Sequence, residues 1–191
     1  SVNIGATQIS GLELSFNGQG KITPNIKANI IGGYTYMNPI ALNPDEIYAE
    51  SIGEISINGE IIGPEITYSN SSSDPSILKY RYQHIAKIDA EITYFDDYIF
   101  GGSVRYNSFM KNIDKVFTDE WINQELIPGI NYAREKFKNG DIVFDVRIGY
   151  NIDRNSKLSL IVNNVLNKEY MSRPADMQPQ RTIALQLSIK I

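Results

Sequence analysis

The chain of 191 residues contains no cysteine and a single histidine, His84. The first absence removes disulfide frameworks, thiolate nucleophiles and cysteine-rich zinc sites together. The second removes any metal site built from several imidazoles. Nowhere do roughly 18 apolar residues run consecutively, so no transmembrane helix is expected. The opening Ser1-Val2-Asn3-Ile4 has neither a charged n-region nor an apolar h-region. Any export signal is therefore expected to have been removed or to lie in sequence not present here. A net charge of −4 and a pI near 5.1 argue against a nucleic-acid partner, which requires a basic face to neutralise phosphates.

What is present is β-forming. Twelve tyrosines and seven phenylalanines stand against one tryptophan, with 14 glycines and 8 prolines as punctuation. Aromatic and β-branched residues favour a pleated surface, and the composition reads as all-β. Seven stretches alternate apolar and polar residues. They are Leu12–Phe16, Ile26–Tyr36, Ile88–Tyr94, Tyr98–Tyr106, Ile142–Ile152, Leu158–Val162 and Ile183–Ile191. Each implies a strand of roughly 9–12 residues with one apolar and one polar face, longer than the usual soluble strand and long enough to cross a bilayer.

The connections alternate too. Short ones are expected at Gly18–Asn25, with Gly18-Gln19-Gly20-Lys21 as its turn, at Phe95–Asp97 and at Asp153–Ser156. Long ones are expected at Asn38–Leu78, Lys111–Gly140 and Asn167–Gln180. Short turns at one end and long loops at the other are the pattern of an outer-membrane barrel. Lipocalin-like barrels also carry longer loops at their mouths and stay open as a reading. Within the first long loop, Asn58-Gly59 between isoleucines predicts a hairpin over Glu54–Ile62.

Tyr34, Tyr36, Tyr94, Tyr98, Tyr106 and Tyr150 fall on apolar faces near strand ends, where amphipathic rings form girdles at a lipid–water boundary. The polar faces carry Lys87, Asp89, Glu91, Arg105, Asp145 and Arg147 in mid-strand, which suits a watered or plugged lumen. Seven is an odd count that leaves two edges unpaired, which a bilayer does not tolerate. The chain is therefore expected to lack one recognisable strand or to be part of a larger barrel.

The end of the chain runs Val162-Asn163-Asn164-Val165-Leu166-Asn167-Lys168-Glu169-Tyr170, then Arg173-Pro174, Pro179, Arg181 and a closing amphipathic strand. This resembles the C-terminal barrel segment of TonB-dependent outer-membrane receptors. Ile9-Ser10-Gly11-Leu12-Glu13-Leu14 and Tyr82-Gln83-His84 are similar to that family's pattern at corresponding places. The resemblance extends over essentially the whole chain. Two positions depart from it: Gln180 stands where the family often has glycine, and Ile191 where it usually ends in phenylalanine. The resemblance implies an all-β fold, the last seven strands of a 22-stranded antiparallel transmembrane barrel, with residues 1–191 the C-terminal part of the barrel domain. It further implies the bacterial outer membrane as location, and as partners lipid, the rest of the barrel, a plug domain and the TonB complex. The role implied is import of a small-molecule or metal-chelate substrate such as a siderophore, haem or cobalamin. The plug and TonB box are not in this sequence. A self-contained small outer-membrane barrel with a structural or adhesive role, and a soluble β-barrel or sandwich binding module, are the competing readings.

No catalytic constellation is present, so neither an enzyme nor a cofactor is expected. Gly18-Gln19-Gly20-Lys21 lacks the spacing of a phosphate loop, and Asp96-Asp97 reads as turn chemistry. The Asn38–Leu78 loop holds Asp45, Glu46, Glu50, Glu54, Glu60, Glu65 and Asp74 without one lysine or arginine. A solvated surface is the plainer reading of this run, with a weak metal candidate at Asp45, Glu46 and Glu50. The Lys111–Gly140 loop interleaves Phe117, Trp121, Tyr132 and Phe137 with Lys111, Lys115, Arg134, Lys136 and Lys138. Its aromatics either pack the loop's own core or close over a ligand by stacking and charge pairing. Trp121, Tyr132 and Arg134 are the loop's ligand-contact candidates, joined by Tyr82 and His84 near the mouth of the third strand. For His84 a satisfied strand histidine is the plainer reading.

Overall fold

The computed structural model describes residues 5–190. Strands β1 (Thr7–Thr23) and β2 (Ile26–Ala41) form the first hairpin. The first long loop follows, with short strands β3 (Ile47–Glu50), β4 (Ile55–Ile57), β5 (Glu60–Ile62) and β6 (Glu65–Thr67) and the one-turn helix α1 (Tyr68–Ser71). Next come β7 (His84–Tyr94) and β8 (Tyr98–Asn107). The second loop contains a 3₁₀ turn (Lys115–Thr118), a π turn (Ile122–Leu126) and helix α2 (Ile130–Lys136). Strands β9 (Asp141–Asn151) and β10 (Ser156–Asn163) precede a third loop with the small hairpin β11 (Met171–Arg173) and β12 (Asp176–Met177), and β13 (Thr182–Ile189) closes the described chain. Ile191, the expected last residue of that strand, lies outside the described residues.

The seven long strands make one antiparallel sheet in the order β1-β2-β7-β8-β9-β10-β13, each beside its neighbour in sequence. Register sorts the two faces across all seven. Leu14 opposes Tyr34 and Tyr34 opposes Ala86, which opposes Tyr106 and then Ile142. Farther along, Ile92, Phe100, Ile148, Leu160 and Leu185 form a continuous apolar row. The residues between them, including Glu13, Asn29, Glu91 and Arg147, occupy the opposite face. A one-residue slip anywhere would break this sorting, so the pattern fixes the register.

The apolar face is bare. Ile148 is 53% exposed and Leu185 73%, and most of their row is similarly open. An uncovered apolar face this broad marks contact with lipid or a large partner. The buried core lies elsewhere: Ile57, Ile62, Tyr68, Ile77, Leu78, Met110, Ile113 and Ile130 all belong to the loops, while the sheet buries Ile99 and Val143.

Two details differ from the sequence expectation. Gly18-Gln19-Gly20-Lys21 is not a turn but the inner part of β1, opposite Ile30, Asn29, Ala28 and Lys27; the reversal falls at Pro24-Asn25. Gly18 sits beside a larger side chain of β2, Ile30, whereas Gly20 faces Ala28 with open space where a Cβ would stand. The strands also span a wider range than expected, from 17 residues in β1 to 8 in β10 and β13. The far end of β2 is also paired on its other side by later backbone: Met37 N donates to Gln83 O and Leu78 N to Pro39 O. The hairpin at Asn58-Gly59 forms as its residues demand, with φ of +49° and +83°.

Candidate functional site: the charged face and the loop-capped mouth

Lys87, Asp89, Glu91, Arg105, Asp145 and Arg147 all stand on the polar face, on three adjacent strands. The Arg147 guanidinium on β9 crosses β8 and grips β7. Nη1 and Nη2 each donate to Asp89 at 2.8 Å, and Nε donates to Glu91 at 3.0 Å. The crossing is possible because β8 offers Gly101 at that point; a Cβ there would stand 2.6 Å from Arg147 Cζ. Asp145 accepts from Ser103 Oγ at 3.1 Å and from the Asn164 amide at 2.8 Å, with Arg105 at 3.4 Å. Bidentate arginine–carboxylate geometry holds such a wall in one arrangement.

At the loop end, the first and second loops are stitched into one cap. Tyr68 OH donates to Ile77 O (2.9 Å) and accepts from Lys79 N (2.6 Å) and Asn112 Nδ2 (2.9 Å). Lys79 Nζ reaches Asp114 at 2.6 Å, and Tyr80 OH donates to the other Asp114 oxygen at 2.5 Å. Burial, reinforced by the Asp114 carboxylate, pushes the Tyr80 hydroxyl up, so it stays protonated and a donor. The Asn58 hairpin tip docks on the second loop through Asp119, Thr118 and Glu120.

The loop candidates occupy different places. Trp121 (61% exposed) and Tyr132 (69% exposed) project to solvent. Arg134 is committed to the cap itself: it donates to Met110 O at 2.9 Å and Lys111 O at 3.0 Å and lies over the Phe109 ring at 4.6 Å. Tyr82 OH donates to Ser172 O at 2.9 Å and so ties the first loop to the third. His84 is not in a loop; it begins β7 on the apolar face, where Nδ1 meets Tyr34 OH at 2.8 Å and the ring packs on Tyr36. That placement follows from strand alternation and puts it beside Tyr34 and Tyr36 on the apolar face.

Asp45, Glu46 and Glu50 do not converge. Asp45 accepts from Ser69 Oγ and Glu46 from Asn43 Nδ2, and among the described residues no three acidic or imidazole groups gather as a metal site. Asp45 and Glu46 instead hold side chains of their own loop, Ser69 and Asn43.

Open spaces lie at the loop end, among them one of about 320 Å³ between α2 and the third loop. A small cavity of about 60 Å³ sits between α2, Tyr82 and the β11–β12 hairpin, too small for a chelate. A larger one of about 510 Å³ is lined by Tyr48, Lys79, Tyr80, Arg81 and Arg173 and by Thr7 and Ile9 of β1. Arg81 and Arg173 had no periodic signal to single them out, although Tyr80-Arg81-Tyr82 interleaves aromatic and cationic groups just before β7.

The asparagines of the motif near the end turn the chain out of β10. Asn164 (φ +50°) accepts from Lys168 N and donates to the carbonyls of Lys168 and Pro179, and Asn167 accepts from Arg181 N. Short amide side chains satisfy backbone groups where the left-handed conformation would otherwise leave them unpaired.

No protein-family model matches the chain, and no curated protein matches it in sequence. Solved structures do match. The siderophore receptor PiuA from Acinetobacter baumannii aligns at a TM-score of 0.58 and 17% identity, over 96% of this chain and 22% of that one. The closed form of the ferric-catecholate import receptor Fiu from E. coli K12 aligns at 0.59 and 22% identity, over 96% and 21%. The outer membrane transporter YddB from Escherichia coli aligns at 0.54 and 13% identity, over 97% and 25%. This chain therefore spans between a fifth and a quarter of the chains it resembles. At these identities the likeness is one of fold: a large antiparallel sheet similar to part of the barrel walls of those receptors.

Proposed function

We propose that residues 1–191 are the C-terminal part of the barrel domain of a TonB-dependent receptor in the bacterial outer membrane, importing a nutrient or metal chelate. The observation that carries this reading is the two-faced sheet with its mouth capped by packed loops. The apolar face would meet lipid, with tyrosines at both margins. The polar face, with its Arg147–Asp89–Glu91 clamp, would line the lumen and meet the plug. The outer edges of β1 and β13 would pair with the remaining strands, because an unpaired edge is not viable in a bilayer. The role is binding and passage rather than chemistry on the substrate.

The proposed substrate is an anionic chelate of the siderophore class. Two of the aligned structures are named for siderophore and ferric-catecholate receptors. In this chain Arg81 and Arg173, with Tyr48 and Tyr80 around the larger mouth cavity, supply cations and aromatic faces suited to such a ligand. Exposed Trp121 and Tyr132 would make first contact from outside. The test is uptake of iron-55 as chelates by cells expressing the full-length receptor, with and without TonB. Energy-dependent accumulation of an anionic ferric chelate supports the reading; equal accumulation with the receptor deleted overturns it.

A further inference from the structure

The third loop leaves the sheet at β10 and returns at β13, on one margin, yet its Arg173 shares a cavity with Thr7 and Ile9 of β1 on the opposite margin. Five interstrand steps separate β1 from β10, roughly 24 Å at about 4.8 Å each. Half of the loop, about nine residues, reaches roughly 30 Å when extended, so the β11–β12 hairpin must be laid across the mouth to arrive there. It is fastened on the way: Tyr82 OH donates to Ser172 O, and Lys168 Nζ lies over the Phe137 ring at 4.4 Å. Thr7 and Ile9 alternate with the apolar positions of β1 and fall on the polar face.

We infer that the β11–β12 hairpin is a strap across the mouth of the polar face, and that it presents Arg173 to whatever passes as a selector for anionic ligands. Arg173 has charge to offer. Its partner across the hairpin, Asp176, is already bonded by Ser172 Oγ and by Gln178 Nε2 at 3.2 Å. The cavity's one carboxylate, Asp114, is held by Lys79 and Tyr80. Arg81, whose guanidinium among the described residues bonds its neighbour's carbonyl alone, at 3.4 Å, adds a second cation. Anions entering beneath the strap would therefore be concentrated and cations repelled. The selector deepens the uptake reading, resting on it for the ligand's class, but the strap's geometry stands apart from it.

The experiment uses the full-length receptor in outer-membrane vesicles with Thr7→Cys introduced; this segment has no cysteine of its own. The probes are two thiol reagents of similar size, the anionic sulfonatoethyl and the cationic trimethylammonioethyl methanethiosulfonate. The anionic reagent should react several-fold faster at residue 7 relative to the same pair at Ile52→Cys in the acidic loop. Arg173→Glu should lower that ratio several-fold, and Arg173→Lys should preserve it. Replacing residues 171–177 with a Gly-Ser-Gly link should speed both reagents and erase the preference. A ratio unmoved by Arg173→Glu overturns the selector, and rates unmoved by the shortened loop overturn the strap. Because labelling needs no transport, a receptor that imports no chelate would defeat the uptake reading while leaving this result decisive.

Discussion

Gly101 lies directly beneath the side chain of Arg147, so close that a Cβ at position 101 would stand 2.4 Å from Nε. The absence of a side chain on β8 lets an arginine of β9 reach two acids of β7.

Gly101→Ala is expected to dislodge Arg147 and to cost about 1–2 kcal/mol, the scale of a partly exposed charge-assisted network. Arg147→Lys should cost a similar amount, since an ammonium cannot make the forked contact with Asp89. Urea midpoints of the full-length receptor in detergent would show both losses, while Gly20→Ala, where a Cβ meets open space, should leave the midpoint in place.

Removing one oxygen from the cap should loosen it locally. Tyr68→Phe leaves Lys79 N without its partner, while Ile77 O and Asn112 Nδ2 keep the bond between them, a loss of about 1–3 kcal/mol. Hydrogen exchange should accelerate at residues 77–80 and 112–114 while β7–β9 amides stay protected. Acceleration throughout the sheet would show that cap and wall are one cooperative unit.

The docking of the Asn58 hairpin should weaken in acid. The backbone amides of Ile122 and then Asn58 hold Asp119 below its ordinary 3.8. A depressed folded-state value means the contribution is present above the unfolded value and is lost as pH falls through the folded one. Protease nicking at residues 58–60 should therefore rise below about pH 4, and Asp119→Asn should show that susceptibility already at neutral pH.

Asn164 combines a left-handed backbone with three side-chain hydrogen bonds. Asn164→Gly keeps the conformation and loses the bonds; Asn164→Ala loses both and should be the more destabilising by about 1 kcal/mol. Equal effects on the urea midpoint would assign the residue's role wholly to its side chain.

The sequence carried the wall well because a sheet facing lipid on one side and water on the other must alternate, and β7 through β10 do so almost without interruption. The glycines of β1 misled for a physical reason: in a soluble hairpin Gly18 and Gly20 would mark a turn, but here both lie inside a long paired strand, Gly18 beside Ile30 and Gly20 opposite Ala28. The cap was illegible. Tyr68 lies 44 residues from Asn112 and its neighbour Ile113, with no period linking them, and their meeting depends on how the loops are anchored. Arg134 is an example: its aromatic neighbours were visible in the sequence, but its bonds to the Met110 and Lys111 carbonyls were not. Arg173 reached the mouth only through the course of the third loop.

The two-faced wall is tested most directly by spin labels placed singly at positions 86–92 of β7 in the full-length receptor in lipid. Even positions should be relaxed by oxygen dissolved in the bilayer and odd ones by a water-soluble nickel chelate or quenched against protein, alternating at a period of two. Equal accessibility on both sets, or nickel access at 86, 88, 90 and 92, would contradict the account.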